Sequence, residues 1–438
     1  MKPAARINAA LEILGEMQKE WAAGRPIPAD KLLGEYTKQR RYMGSKDRAA
    51  VAELVYTVLR NGAALQWWTE RAKQETNPRN LMLLTLVMLE REPLHKIEAQ
   101  FSGEQYCPSA LTQAEHDFVA EHLNKAIDEP FMPDWARANC PEWLEARLRS
   151  LFGDNFASEM KALNQEATVD LRVNTLRCAD RGDLIFALDK EGIFAAPCEH
   201  SPLGVRLRKR APIFTTKAYQ EGLFEVQDEA SQIAASMVEA KAGERVIDVC
   251  AGAGGKSLAI AAQMQNDGHI LAWDNDKNRL AQLPKRVKRA GVRNIEWQVM
   301  DITQADIHSI PKADWVLVDA PCSGTGTWRR NPDLKWRSSP QELERVVTLQ
   351  QQLLSRASQL VSSGGTLVYA TCSLLKEENE AQIASFLNNH TDFEVEPMPQ
   401  IWHKLVGCVV DQDERFFRVT PATHGMDGFF AARLKRKG

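Results

Sequence analysis

The stretch "ERVIDVCAGAGGKSLAIAAQM", residues 244–264, runs from an apolar segment of strand length through a glycine-rich turn into a segment with helical periodicity. A short strand, glycines and a helix in that order form the opening unit of a parallel α/β sheet. The pattern then repeats. "GHILAWDND" (268–276) reads as a second strand, and "NRLAQLPKRVKRAG" (278–291) as a second helix interrupted at Pro284. "NIEWQVMDI", "ADWVLVDAP" and "GGTLVYATCS" supply three further strands, the last preceded by the helix "ELERVVTLQQQLLSRASQLV". This alternation predicts a Rossmann-like, doubly wound sheet, whose ligands sit beyond the carboxyl ends of its strands.

Upstream the pattern differs. From Ala4 to about Arg149 apolar residues recur at helical spacing, as in Ile13, Leu14 and Met17 or Val51, Leu54, Val55 and Val58. That predicts a helical domain. "DEPFMPDW" (128–135) breaks it with two prolines, and another helix starts from Pro141. "TVDLRVNTLRCADRGDLIFALDKEGI" (168–193) then reads as strand, loop, amphipathic helix and return towards a strand, a compact α+β module. The expected domains are 1–140, 141–225 and 226–438.

Charge and cysteine usage narrow the function class. A net charge of −3 means that any polyanion must be held by local basic clusters, of which "RLRKR" (206–210), "KRVKR" (285–289) and the C-terminal "RLKRKG" are candidates. Each also reads as a solvated helix or strand face. The eight cysteines show no paired CxxC spacing, so neither a zinc ribbon nor a disulfide framework is expected, and no metal site is assigned. A reducing cytoplasm is the expected location. The N-terminus lacks a charged segment followed by an apolar one, and the run "LMLLTLVML" (81–89) is too short to cross a bilayer. Nothing calls for more than a monomer.

Chemistry-bearing residues gather at the predicted strand ends. Gly252, Gly254 and Gly255 let the backbone turn tightly and approach a ligand at a helix N-terminus. Two ligands compete for such a turn. A phosphate-binding loop needs a glycine five positions before Gly255, where this chain has Cys250. A nucleoside needs an acidic residue about 20 positions on, at the end of the second strand, and Asp274 is there. Asp248, Asp301 and Asp319 close the other strands of the same rim. Cys322 in "DAPCSG" and Cys372 in "YATCS" each follow a predicted strand, so the fold brings them to one rim across 50 positions (372 − 322). A single cysteine is more often core than nucleophile. Two, on loops that also carry Asp319 and Ser373, point to thiol chemistry beside a nucleoside-like cofactor.

"DVCAGAGGKS", "DAPCSGTG", "RRNPDLKW", "YATCSLLKEEN" and "HGMDGFFAARL" together resemble the RNA cytosine-5 methyltransferases that use S-adenosylmethionine, and within them the bacterial small-subunit ribosomal RNA methyltransferase B group of the RsmB/NOP family. "FEVQDEASQIAA" is similar to that family's lead into its catalytic domain, "LRVNTLR" to the start of its small RRM-like subdomain, and "SKDRAAVAELVYTVLRN" to its NusB-like RNA-binding domain. The resemblance implies a class I S-adenosylmethionine-dependent methyltransferase fold with an RRM-like subdomain and an all-helical domain, acting on small-subunit ribosomal RNA.

The resemblance also implies roles. Carbon 5 of cytosine is a poor nucleophile until a thiolate adds at C6. In the family that thiol belongs to the TCS motif, here Cys372, while the PCS cysteine, here Cys322, is tied to release. Asp319 is expected to hydrogen-bond the base's N3/N4 edge, and Lys256 to orient the base or favour the thiolate. The cofactor is expected on the turn formed by Cys250, Ala251, Gly252, Ala253, Gly254, Gly255 and Lys256, with Asp274, Arg279, Asp301 and Asp319 opposite. The family's turn is usually CAAPGGKT; Gly252, Ala253 and Ser257 depart from it, losing a proline's φ restriction but no cofactor-contacting side chain.

Arg329, Arg330, Lys335 and Arg337, interleaved with Trp328 and Trp336, offer phosphate contacts and stacking, or else form a salt-bridged loop with buried tryptophans. A target base within a helix would have to be flipped to reach the thiols. Two rivals remain: an RNA-binding assembly factor with a degenerate methyltransferase fold, and a small-molecule or DNA methyltransferase. A DNA cytosine methyltransferase uses the proline-cysteine thiol as nucleophile and has no need of Cys372. Methylation of another RNA, such as tRNA, is the nearest variant.

Overall fold

The computed structural model describes residues 1–397 and 415–438; Cys408 of the cysteine inventory lies outside them. The chain divides into two compact units, Met1–Gln165 with Trp328–Pro340, and Glu166–Thr327 with Gln341–Gly438.

The first unit is helical among its described residues. Its longest helix, Pro3–Ala22, sets Ile7, Ala10, Ile13, Leu14 and Met17 on one buried stripe, which packs with Val51, Val55 and Val58 of helix Ser45–Arg60. The expected break at 128–135 falls before helix Glu142–Phe152, which Pro141 opens. The run 81–89 is core, on helix Pro78–Leu84 and the wider turn Thr85–Leu89. No helix among the described residues is long and apolar enough to cross a membrane.

The second unit holds two sheets. The smaller is built from β1 (Asp170–Val173), β2 (Ala195–Pro197), β3 (Gly204–Leu207) and β4 (Phe224–Val226), antiparallel in the order β2-β3-β1-β4. With helices Arg181–Asp189 and Lys217–Gln220 in the crossovers, this is a βαββαβ module. Every residue of β1 is buried, so neither face of that central strand is free. One face is pinned by polar contacts: Arg172 donates to Gln227 and to the Gly255 carbonyl (2.8 Å), and Asn174 to the carbonyls of Gly222 (2.8 Å) and Ala290 (2.9 Å). A Cβ at Gly222 would stand 2.1 Å from the Arg289 carbonyl oxygen, so that contact requires glycine.

The larger sheet carries β5 (Arg245–Asp248), β6 (His269–Asp274), β7 (Ile295–Val299), β8 (Ala313–Asp319), β9 (Val361–Thr371), β10 (Phe393–Val395), β11 (Phe417–Val419) and β12 (Phe429–Arg436). Its order is β10-β12-β9-β8-β5-β6-β7, with β11 also on β12. β5 to β9 are parallel, as the alternation predicts; β12 lies antiparallel to β9, which the strand-helix repeat did not foretell. Side-chain alternation sends Val246, Ile270 and Leu317 to one core and Ile247, Trp273 and Val316 to the other, so both faces are covered. Strand order reverses between β5 and β8. A cleft opens at the carboxyl ends of just such a pair.

Each basic cluster spends part of its charge on internal ties. Arg206 bonds Asp170 (2.7 Å) and Glu229 (3.1 Å), Arg286 (2.9 Å) and Arg289 both reach Glu225, and Arg433 bonds Glu239 (3.1 Å) and Glu396 (2.7 Å). What stays exposed is Arg208, Lys209, Arg210, Lys285, Lys288, Lys435 and Lys437.

Candidate functional site

β5 ends at Asp248, and the chain turns at once. Gly252 (φ +57°) and Gly254 (φ +82°) take left-handed conformations, and helix Gly255–Gln263 starts directly after them. A Cβ on Gly252 would lie 2.7 Å from the Arg279 guanidinium, and one on Gly254 would lie 2.1 Å from Leu283 Cδ1. Ser257 Oγ donates to Asp248 at 2.6 Å, tying the helix to the strand end below it. Burial pushes the Asp248 carboxyl up to about 7.

β6 ends at Asp274, buried at 3 % exposure. Its carboxylate accepts the Gly252 N–H and the Asp276 N–H, each at 2.7 Å, so the second strand end grips the glycine turn of the first. Asp301 stands two residues past β7, exposed, and caps its own turn by accepting from Thr303 N–H (2.9 Å) and Oγ1 (2.7 Å). Asp319 closes β8. Lys256 Nζ reaches it at 2.6 Å and lies 5.1 Å from the Phe429 ring centroid, which joins the glycine turn to the "GMDGFF" segment.

The two cysteine loops meet. Cys322 Sγ and Cys372 Sγ stand 3.3 Å apart, and the Gly326 N–H donates to the Cys372 carbonyl at 2.9 Å. The hydrogen bond to Cys372, with burial and the charge of Glu378, pushes the Cys322 thiol well above its ordinary range. Burial does the same to Cys250.

One cavity of about 340 Å³ collects these groups: Cys250, Asp274, Arg279, Asp301, Asp319, Cys322 and Cys372 all line it. Ala251, Gly252, Ala253, Gly254, Gly255 and Lys256 form the turn and helix start behind that wall. Val249, Asn275, Met300, Ile302, Leu349 and Leu353 are also in the lining and were not singled out from the sequence. Asn275, Met300 and Ile302 flank acidic residues already chosen, which is a usable signal; Leu349 and Leu353 sit on the amphipathic helix Pro340–Ser358, where ligand wall and core read alike.

The segment 328–337 belongs to the helical unit. Trp328 and Lys335 are buried, Trp336 donates to the Leu59 carbonyl (2.7 Å), and Arg337 pairs with Asp333 (2.7 Å). Lys335 donates to the carbonyls of Arg60 (3.3 Å) and Asn139 (3.0 Å) and to Asn164 Oδ1. Burial pushes the Lys335 amine down to about 7, so these three acceptors hold a group that gives up its proton far more readily than a surface lysine.

Comparison with known proteins adds a relation. Residues 235–435 match the family described as 16S rRNA methyltransferase RsmB/F, and residues 140–214 match the ferredoxin-like domain of RsmF/B-like methyltransferases. A probable ribosomal RNA small subunit methyltransferase B of Synechocystis is 32% identical, with 91% of this chain and 93% of that protein aligned. The ribosomal RNA small subunit methyltransferase B of an Escherichia coli O6:K15:H31 strain is 30% identical over 90% and 92%. Among solved structures, PH0851 superposes with a TM-score of 0.80 at 27% identity, covering 100% of this chain and 99% of its own. A methyltransferase homologue from Pyrococcus horikoshii gives 0.60 at 29% identity, covering 70% and 100%.

Proposed function

The chain belongs to the RsmB/F family of 16S ribosomal RNA methyltransferases, S-adenosylmethionine-dependent enzymes that modify RNA, and on that premise we propose that it methylates C5 of a cytosine in small-subunit ribosomal RNA through a covalent thiol adduct. The observation that carries the proposal is the pair of sulfurs 3.3 Å apart at the carboxyl rim of β8 and β9, on the cavity that Asp274 also lines.

The residues fit the cofactor. A nucleoside needs an acceptor for its ribose hydroxyls at the β6 end and a Cβ-free turn at the β5 end, and buried Asp274 with the left-handed Gly252 and Gly254 supply both. When bound, S-adenosylmethionine supplies an electrophilic methyl group. Asp274 takes the ribose, Arg279 lies over the glycine turn, Asp301 flanks the mouth, and Ile302, Leu349 and Leu353 keep water out.

The chain's own residues act on the base. The Cys372 thiolate adds to C6, and the displaced electrons move towards N3, where Asp319, steadied by Lys256, meets the N3/N4 edge. C5 is then nucleophilic and takes the methyl. The C5 proton then passes to water, its bonding pair restores the C5–C6 double bond, and the C6–sulfur pair leaves with Cys372 as thiolate, with Cys322 serving that release. The hydrogen bond with Cys372, burial and the Glu378 charge favour the protonated form of Cys322.

Residues 1–140 are read as the RNA-holding domain, 141–225 as the RRM-like subdomain and 226–438 as the catalytic domain of a monomeric, cytoplasmic enzyme. The test is incubation of wild type, Cys322→Ala and Cys372→Ala with S-adenosylmethionine and small-subunit ribosomal RNA, resolved on a denaturing gel. Accumulation of a protein–RNA adduct by Cys322→Ala alone supports the assignment. Adduct in Cys372→Ala instead reverses the thiol roles, and absence of both adduct and methyl transfer in any form favours an RNA-binding factor or a different RNA.

A further inference from the structure

The Glu378 side chain is fully buried shortly after β9, in "CSLLKEEN", and no step above uses it. Its carboxylate accepts the Ser323 N–H at 2.8 Å, the Ser323 hydroxyl, the Ser373 hydroxyl and Gln350 Nε2 at 3.0 Å. Its own carbonyl accepts the buried Tyr369 hydroxyl at 2.7 Å. Ser323 follows Cys322, and Ser373 follows Cys372. One carboxylate therefore holds the residue after each thiol, and it does so with neutral donors. A buried charge without a cation is costly unless its hydrogen bonds are worth keeping.

We propose that Glu378 is the positioning residue of the two-thiol pair, clamping the Cys322 and Cys372 loops through Ser323 and Ser373 so that the sulfurs stay in contact. The proposal rests on the reading of those thiols as the reacting groups. Thr325 supports the clamp by accepting the Leu374 N–H at 2.8 Å, and Asn379 by donating to the Ser373 carbonyl at 2.9 Å. The charge has a second consequence, because it faces Cys322 and disfavours a second negative charge there. The other titratable or charged groups around Cys322 are Cys372 and Tyr369 from β9 and its loop, and, along the cavity, Cys250, Asp274, Arg279, Asp301 and Asp319 with Lys256. Among these Glu378 alone bonds both cysteine loops through its side chain.

The experiment compares the full-length wild type with Glu378→Gln, close in shape but uncharged, and with Ser323→Ala, which removes one clamp donor and leaves the charge. Alkylation of Cys322 and Cys372 by iodoacetamide is followed against pH by peptide mass spectrometry, without RNA. Methyl transfer to ribosomal RNA and the S-adenosylmethionine dissociation constant are measured in parallel. In Glu378→Gln the Cys322 alkylation midpoint should fall by about one pH unit. Methyl transfer should drop about tenfold or more in both variants, with cofactor affinity within about twofold. Ser323→Ala should keep the wild-type midpoint. Superimposable alkylation profiles in wild type and folded Glu378→Gln overturn the proposal, as does undiminished turnover in that variant. The alkylation arm reads the Glu378 charge against Cys322 even where the RNA chosen is not a substrate, so the two readings fail separately.

Discussion

Lys256 Nζ and an Asp319 carboxylate oxygen meet at 2.6 Å, joining the first residues of the helix after the glycine turn to the end of the strand beside it. Lys256 is largely buried, while a third of the Asp319 side chain stays open to the cavity. The pair therefore offers one free carboxylate edge in a fixed direction. Lys256→Met should cut turnover by about 100-fold while leaving the S-adenosylmethionine dissociation constant nearly unchanged, a loss confined to the reacting base. Calorimetric titration beside single-turnover methyl transfer checks it; a parallel loss of cofactor affinity would move Lys256 to the cofactor side.

Gly252 answers to its backbone angle and to its neighbour. At φ +57° a Cβ costs about 1 kcal/mol, and here it also meets the Arg279 guanidinium. Gly252→Ala should weaken S-adenosylmethionine about tenfold or more, and Arg279→Ala in the same background should recover part of the loss by removing the collision. Additive losses in the double variant would mean that the two positions act independently.

Asp248 links protonation to stability. Folding raises its pKa from 3.8 to about 7, so between those values the folded protein holds a proton that the unfolded chain has released. The stability is fully present below about pH 4 and is lost as pH rises towards 7, by up to about 1.4 kcal/mol for each pH step of one. Asp248→Asn should flatten the decline in melting temperature between about pH 4.5 and about pH 7.5 relative to wild type. Parallel melting curves across that window would remove Asp248 as the source.

Lys335 should matter for stability and not for the salt dependence of RNA binding. Lys335→Met leaves the acceptors of Arg60, Asn139 and Asn164 buried without their donor, a loss of about 2 to 4 kcal/mol and several degrees of melting temperature. A buried amine, pushed down to about 7 by desolvation, releases no counterion on binding, so the slope of affinity against salt should match wild type. A slope reduced by about one charge would return Lys335 to the RNA face.

The catalytic half was legible because its signals are local. Strand, glycine turn and helix follow one another within 21 residues, and each acidic strand end announces itself by position. The convergence of Cys322 and Cys372 needed only the order of the strands. What escaped depended on partners far along the chain. Nothing near "RRNPDLKW" says that Trp336 will donate to Leu59 or that Lys335 will find Asn164. In the same way Arg206 looks like part of a basic patch until Asp170 and Glu229, 36 and 23 positions away, close on it. Glu378 reads as one more charge in "KEEN", and only the meeting of two loops shows it to be their common acceptor.

The excursion of Trp328–Pro340 into the helical unit also has a bearing on birth order. A nascent chain completes residues 1–165 long before residue 335 leaves the ribosome, and meanwhile the acceptors meant for Lys335 and the Leu59 carbonyl meant for Trp336 lack those donors. The N-terminal helices thus ripen only after most of the catalytic sheet has been synthesised. A fragment cut at residue 165 would be a globule missing its keystone, and dissection of this enzyme at that apparent boundary should yield an N-terminal piece that is soft rather than a free-standing module.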